Sequence, residues 1–284
     1  MRSRLLALLA ALALALTAGF VVACGDDDDD DGGGDTTAAG ADLGLLQEGQ
    51  LLVGTDTPFP PFEIGQPPNL SGFDIEVVNA IGEELGLDVT YQDTSFDTIF
   101  RDVAQGKFDM AVAASTITAE REQTVDFSDP YYEANQSLIA PPDSDIATVD
   151  DLGGKTVGAQ DGTTGETYAN DETDAATVRG FPEGPDAINA LRNGQVDAVI
   201  IDQPVAVDAV ESLGGGDIEI VEEIVTSELY GIPFAPDNDA LREAVNEALK
   251  TIKDDGRLQE LYEQYFPGVE VPDTVLEGTN EELK

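Results

Sequence analysis

The chain has 284 residues, with 58 Asp plus Glu against 13 Lys plus Arg, one cysteine and no histidine, for a formal net charge of −45. That balance excludes nucleic acid, since phosphate neutralisation needs clustered Lys and Arg, and it weakens docking on anionic lipid heads. The lack of histidine excludes His-based triads and most zinc sites, and the lone cysteine excludes an intramolecular disulfide. Two readings of so acidic a surface remain open: solubility, above all in a salty habitat that screens repulsion, and a preference for cationic ligands.

Arg2 and Arg4 precede an unbroken Leu/Ala run from Leu5 to Leu16, so residues 1–23 read as an export signal. Val21-Val22-Ala23-Cys24 is similar to a bacterial lipobox, in which the cysteine is lipidated and becomes the mature N-terminus. The alternative is a single membrane anchor, because Leu5 to Ala23 is 19 residues and nearly spans a bilayer. The position of the lone Cys24, followed by Gly25, the aspartates Asp26 to Asp31 and Gly32-Gly33-Gly34, favours the lipobox. Residues 24–47 then read as a solvated, self-repelling tether.

Leu51 to Val53 is a short strand, and the three prolines between Pro58 and Pro61 predict a rigid loop after it. Phe73, Val77, Val78, Ile81 and Leu85 recur at helical spacing, which predicts a helix over Phe73 to Leu85. Phe96, Ile99, Phe100 and Val103 predict another, stopped by Gly106. Met110 to Ala113 reads as a buried strand, Ser115 and Thr116 as a polar turn, and Thr118 as the start of a short helix with Arg121 in its first turn. Arginine there opposes the helix dipole, which makes sense if an anion docks beside it; on residue type alone it reads equally as a solvated surface side chain. Ser137 to Ala140 is extended. A second α/β region starts at Val149, with strands at Thr156 to Ala159 and Val196 to Ile201 and helices after Gly162 and Pro185. The chain is extended again over Glu228 to Ile232. Leu241, Val245, Leu249 and Ile252 mark a long helix, Leu258 to Tyr265 another, and residues 271–284 read as a polar tail without periodicity. The alternation predicts α/β lobes with mostly parallel sheets.

Two decoys fall away. Gly154-Lys155-Thr156 lacks the P-loop glycine, since Val149 stands there. An EF-hand register from Asp27 meets Ala38 where glutamate is required. No metal or other cofactor is expected.

The segment Asp109 to Tyr132, with its Thr-Ile-Thr-Ala-Glu-Arg run at 116–121, resembles the signature of the bacterial extracellular solute-binding proteins, family 3, and the likeness extends from about Leu51 to Phe266. The resemblance implies a two-lobed α/β fold of the periplasmic-binding-protein type II, with hinge crossovers near Ser137 to Ala140 and Glu228 to Ile232. Lobe 1 would comprise residues 48–138 plus 229–270, and lobe 2 residues 139–228. It implies that Asp56 and Phe59 touch the ligand side chain, that Phe96 covers its other face, and that Thr116 and Arg121 grip an α-carboxylate. Ala113 and Ala114 fall where relatives use a backbone carbonyl. Thr163 and Thr164 would meet the ligand from lobe 2, although a helix N-cap explains them as well. Asp202, at the end of an apolar strand, would anchor the α-ammonium, with an N-cap as its alternative. The implied function is capture of a polar or cationic L-amino acid for an ABC permease by a monomeric, lipid-anchored, extracytoplasmic, non-enzymatic protein. A periplasmic dehydratase-like enzyme and a ligand-presenting sensory module are the rivals on this scaffold.

Overall fold

The computed structural model describes residues 42–212 and 216–283, so the expected signal segment, Cys24 and the aspartate run lie outside the described residues. β1 (Gln50–Thr55) buries Leu51 and Val53. The loop after it carries a hairpin, β2 (Ile64–Gln66) and β3 (Asn69–Ser71), that the prolines gave no reason to expect. α1 (Phe73–Leu85) has the expected limits, because Phe73, Val77, Val78 and Ile81 form one fully buried face. Gly86, at φ 67°, closes it. At its start, a Cβ on Gly72 would stand 2.1 Å from the Phe62 carbonyl oxygen with φ at 123°, so only glycine fits.

β4 (Asp88–Asp93) has no sequence signal because Val89 and Tyr91 are its only large apolar residues. α2 (Phe96–Ala104) matches, whereas β5 (Met110–Ala111) is shorter than the strand expected over Met110 to Ala113. Instead of a helix opening at Thr118 there is one 3₁₀ turn, Arg121–Gln123, followed by β6 (Asp126–Phe127). The next region contains β7 (Tyr132–Ala140), β8 (Thr156–Gln160), α3 (Thr164–Asp171), β9 (Thr177–Phe181), α4 (Gly184–Arg192), β10 (Ala198–Asp202), α5 (Gln203–Ser212) and β11 (Glu219–Tyr230). The chain closes with β12 (Pro233–Phe234), α6 (Asp239–Asp254), α7 (Arg257–Tyr265) and α8 (Asp273–Leu276).

Two five-stranded sheets result, ordered β4-β1-β5-β12-β6 and β11-β7-β10-β8-β9. β1 runs parallel to β4 and β5, and β8 to β9 and β10, but β12 is antiparallel to its neighbours and β7 to β10 and β11. The sheets are therefore mixed and not mostly parallel. In each, the antiparallel pairs form around strands next to the crossings, where no helix intervenes to return the chain in the same direction.

Those crossings define the cleft. The first lies earlier than Ser137 to Ala140: these residues already pair with β10, with Ile139 opposite Val199 and Ser137 opposite Ile201, so the chain changes sheet between β6 and Tyr132. The second, between Tyr230 and Pro233, falls where the sequence puts it. Tyr132 and Tyr230, one on each crossing strand, lie 5.5 Å apart and pack with Phe62, Phe73, Tyr262 and Phe266 of the first lobe. These offset and edge-on aromatic contacts tie both crossings to one core. The expected polar tail also differs. Val275 is fully buried and Val271 nearly so, and the Asn280 side chain donates to the Phe127 carbonyl. Two apolar residues four apart are too few to show as a periodicity, yet they suffice to dock a single turn. Among the described residues, no helix is long and apolar enough to cross a membrane.

Candidate functional site

Asp56 directly succeeds β1, at the carboxyl end of a strand flanked by parallel neighbours, where α/β sheets place ligand groups. Its carboxylate is buried and accepts a 2.6 Å bond from Gln160 Nε2 of the other lobe. Burial first, then the Glu183 charge, push it up to about 7. Asp202 ends β10 in the same manner and accepts from Gln136 Nε2. Burial, then Glu228, push it up to about 7 as well.

Arg121 is held by a local turn, in which Thr118 Oγ1 accepts from its amide and the Thr118 carbonyl from that of Glu122. Three residues of 3₁₀ helix carry little dipole, so the anion-binding capacity rests on the guanidinium itself and not on a helix terminus. That group donates to the Thr116 carbonyl at 2.7 Å and, across the cleft, to the Gly162 carbonyl at 3.0 Å. It also lies over the rings of Phe96 and Phe100, at 5.1 and 4.5 Å from their centroids. Burial pulls its pKa down to about 10 against the opposing pull of Glu228 and Asp202, which leaves it charged at neutral pH.

Asp56, Phe59, Phe96, Ala114, Thr116, Arg121, Thr163, Thr164 and Asp202 all line one pocket between the lobes, together with Ala113 and Gln160. Its central free volume is ≈ 10 Å³, about what one water needs, so an amino acid enters only when the walls separate. The walls touch at small residues: a Cβ on Gly184 would stand 2.8 Å from the Phe59 ring, and one on Gly162 3.1 Å from the Asp97 Cα. Ala114 sits at φ 43°, with its amide donating to the buried carboxylate of Asp74 at 2.7 Å. Tyr131 donates to the same Asp74 oxygen. Burial and the facing Asp74 push the neighbouring Glu63 well up, and burial raises Asp74 as well.

The N-cap alternative for Thr163 holds, since its hydroxyl accepts from the Glu166 amide while donating to the Gln160 carbonyl. Thr164 instead points its hydroxyl at Glu228. The Gly162 amide is taken by Glu166 Oε2, and Asp161 lies against Gly180 outside the pocket.

Three polar side chains escaped sequence reasoning. Gln160 ends β8, and the strand-end rule that selects Asp202 selects it too. Gln136 and Glu228 lie inside β7 and β11, and nothing in the sequence separates Glu228 from the chain's other 57 carboxylates. Both are buried, and both contact site residues.

Known proteins share this fold. The model of the bacterial extracellular solute-binding proteins, family 3, matches residues 51–268. An arginine-binding periplasmic protein of Mannheimia haemolytica is 31% identical over 227 residues, covering 78% of this chain and 93% of that protein. An ancestral arginine-binding protein solved with arginine is 38% identical, with a TM-score of 0.73 over 77% of this chain and 98% of its own. The ancestral protein solved with glutamine gives 38% and 0.74, over 78% and 99%. On this match, which spans most of the chain and both sheets, the protein belongs to the bacterial extracellular solute-binding proteins, family 3.

Proposed function

We propose that the protein captures an L-amino acid with a polar or cationic side chain between its lobes and delivers it to an ABC permease, held outside the cell membrane by a lipid on Cys24. The observation that carries this reading is that Arg121, Thr116, Thr164, Asp202 and Asp56 share one interlobe pocket. Arg121 and the two hydroxyls suit an α-carboxylate, Asp202 an α-ammonium, and Asp56 the donors of a side chain. Charge-assisted contacts contribute about 1.5–3 kcal/mol each, enough together for micromolar binding, about −8 kcal/mol. The ligand favours closure because Arg121 and Asp202 reach it together only across a closed cleft. Phe96 has a narrower part than the resemblance implies, since Arg121 takes one of its faces. Phe59 then remains as the ring on which a ligand guanidinium can stack.

Asp56 and Asp202 line the pocket and Glu228 contacts its walls, against the single cation Arg121. An acidic ligand side chain meets like charge there without compensation. In competition titrations at neutral pH, arginine and glutamine are expected to bind more tightly than glutamate, arginine by the larger margin. Glutamate outcompeting both would overturn the assignment. The function itself is tested by thermal shift of the full-length chain in mild detergent with each of the twenty amino acids. A ligand at 100 times its Kd adds about 2.7 kcal/mol, and no shift with any of them would sink the reading. The bound amino acid is expected to be recovered chemically unchanged, whereas turnover would favour the dehydratase-like alternative.

Mass spectrometry of membrane-extracted protein is expected to show Cys24 as a lipidated N-terminus, and Cys24→Ser to retain residues 1–23. An unmodified mature Cys24 contradicts the anchor.

A further inference from the structure

Two side chains from the crossing strands hold the very groups assigned to the amino acid. Thr116 Oγ1, from lobe 1, and Thr164 Oγ1, from lobe 2, both donate to one oxygen, Glu228 Oε2, each at 2.6 Å. Gln136 Nε2 donates to Asp202 Oδ1 and, at 3.0 Å, to the other Glu228 oxygen. A carboxylate seated on two hydroxyls, linked to an N–H donor seated on Asp202, reproduces the polar outline of an α-amino acid. Glu228 and Gln136 are 8% and 1% exposed, so the arrangement is built into the cleft and is not a surface contact.

A threonine hydroxyl has one proton to donate. Thr116 and Thr164 therefore serve Glu228 or an arriving carboxylate, not both at once, and two carboxylates at one seat repel. We propose that Glu228, steadied by Gln136, is a built-in competitor for the α-carboxylate seat, so that the affinity for an amino acid is what remains after Glu228 is displaced. The inference rests on the amino-acid-binding function proposed for the same pocket.

The backbone around Glu228 is suited to such movement. The pairing of β11 with β7 slips between Ile224 and Glu228, and Ser227 sits at φ 51°. There the Asn135 side chain takes the Thr226 and Ser227 amides. The bulge takes residues 225–227 out of the ladder, with Glu228 pairing again opposite Ala134 at its edge, and a bulge re-aims the side chains beside it. Thr226, Ser227 and Glu228 also border an open groove of ≈ 970 Å³ beside the pocket, into which the displaced carboxylate can turn.

The test is calorimetric titration of the full-length chain in detergent, as parent, Glu228→Gln and Glu228→Ala, with L-arginine, L-glutamine and agmatine. Agmatine is arginine without its α-carboxylate and does not contest the seat. Glu228→Ala is expected to tighten both amino acids about tenfold and Glu228→Gln by less, while agmatine gains nothing or weakens through loss of a nearby negative charge. If Glu228→Ala fails to fold, judged by its circular dichroism, the isosteric Gln variant decides alone. Weaker binding of all three ligands by the variants overturns the proposal and makes Glu228 a simple attractor of cations. Unchanged amino-acid affinity overturns it as well. Parent binding without a gain in the variants removes only the competitor, whereas no binding by parent or variants removes the amino-acid-binding reading with it. Binding gained by a variant of a non-binding parent supports both.

Discussion

Arg121→Ala is expected to weaken amino-acid binding by roughly 2–5 kcal/mol, and Asp202→Ala by a similar amount, because each leaves a ligand charge desolvated without its partner. The two variants should differ in stability. Arg121 donates to Thr116 and, across the cleft, to Gly162, and it covers Phe96 and Phe100. Its removal therefore costs some packing and loosens closure. Asp202 is a carboxylate forced into a buried position beside Glu228. Removing it relieves that burden, so Asp202→Ala should melt no lower than the parent while losing its ligand. Arg121→Lys keeps the charge without the planar fork, and falls between parent and alanine in affinity. Calorimetry paired with thermal melts checks all three. Either alanine variant binding like the parent, or an affinity loss that tracks loss of fold, defeats the assigned roles.

Ligand affinity is also expected to fall between pH 8 and pH 5, by up to about 100-fold for each carboxyl that must ionise, about tenfold per pH unit below 7. Asp56 and Asp202 are both held near 7 from an ordinary value of 3.8. Asp56 faces Glu183, Asp93 and Gln160, whereas Asp202 faces Glu228, Tyr230, Gln136 and Arg121. For folding, a raised carboxyl pKa gives a contribution fully present below about 3.8, where both states are protonated, and lost as pH rises through about 7. For binding the sign reverses. The ammonium or guanidinium of a ligand favours the ionised carboxylates, so affinity climbs with pH and levels off above 7. From pH 5 to 7 the ligand-free protein should thus lose these two carboxyls' contribution to stability while its grip on arginine improves. Arginine affinity that is flat across this range, or tighter at pH 5, contradicts the assignment of either carboxylate to a cationic group.

The sequence, with the family resemblance it carries, determined the lobes' main helices and the pocket's lining apart from Gln160. α1 and α6 are legible because their buried faces repeat at helical spacing. Thr116 and Arg121 are legible because they lie five residues apart in one recognisable run. Asp202 follows from a rule about strand ends that needs no knowledge of what it faces, and Asp56 from the family resemblance. The tertiary structure decided the rest. β4 and the docking of Val275 carry too few apolar residues to register a period, and the first crossing is invisible within one continuous extended run. Gln136 and Glu228 sit mid-strand, 92 residues apart, in a chain where acidic residues mark nothing by their frequency. A period or a strand end is a local property that the sequence records directly. Which hydroxyls meet across a cleft depends on how two sheets close upon each other, and only the folded chain brings Thr116, Thr164 and Glu228 to one point.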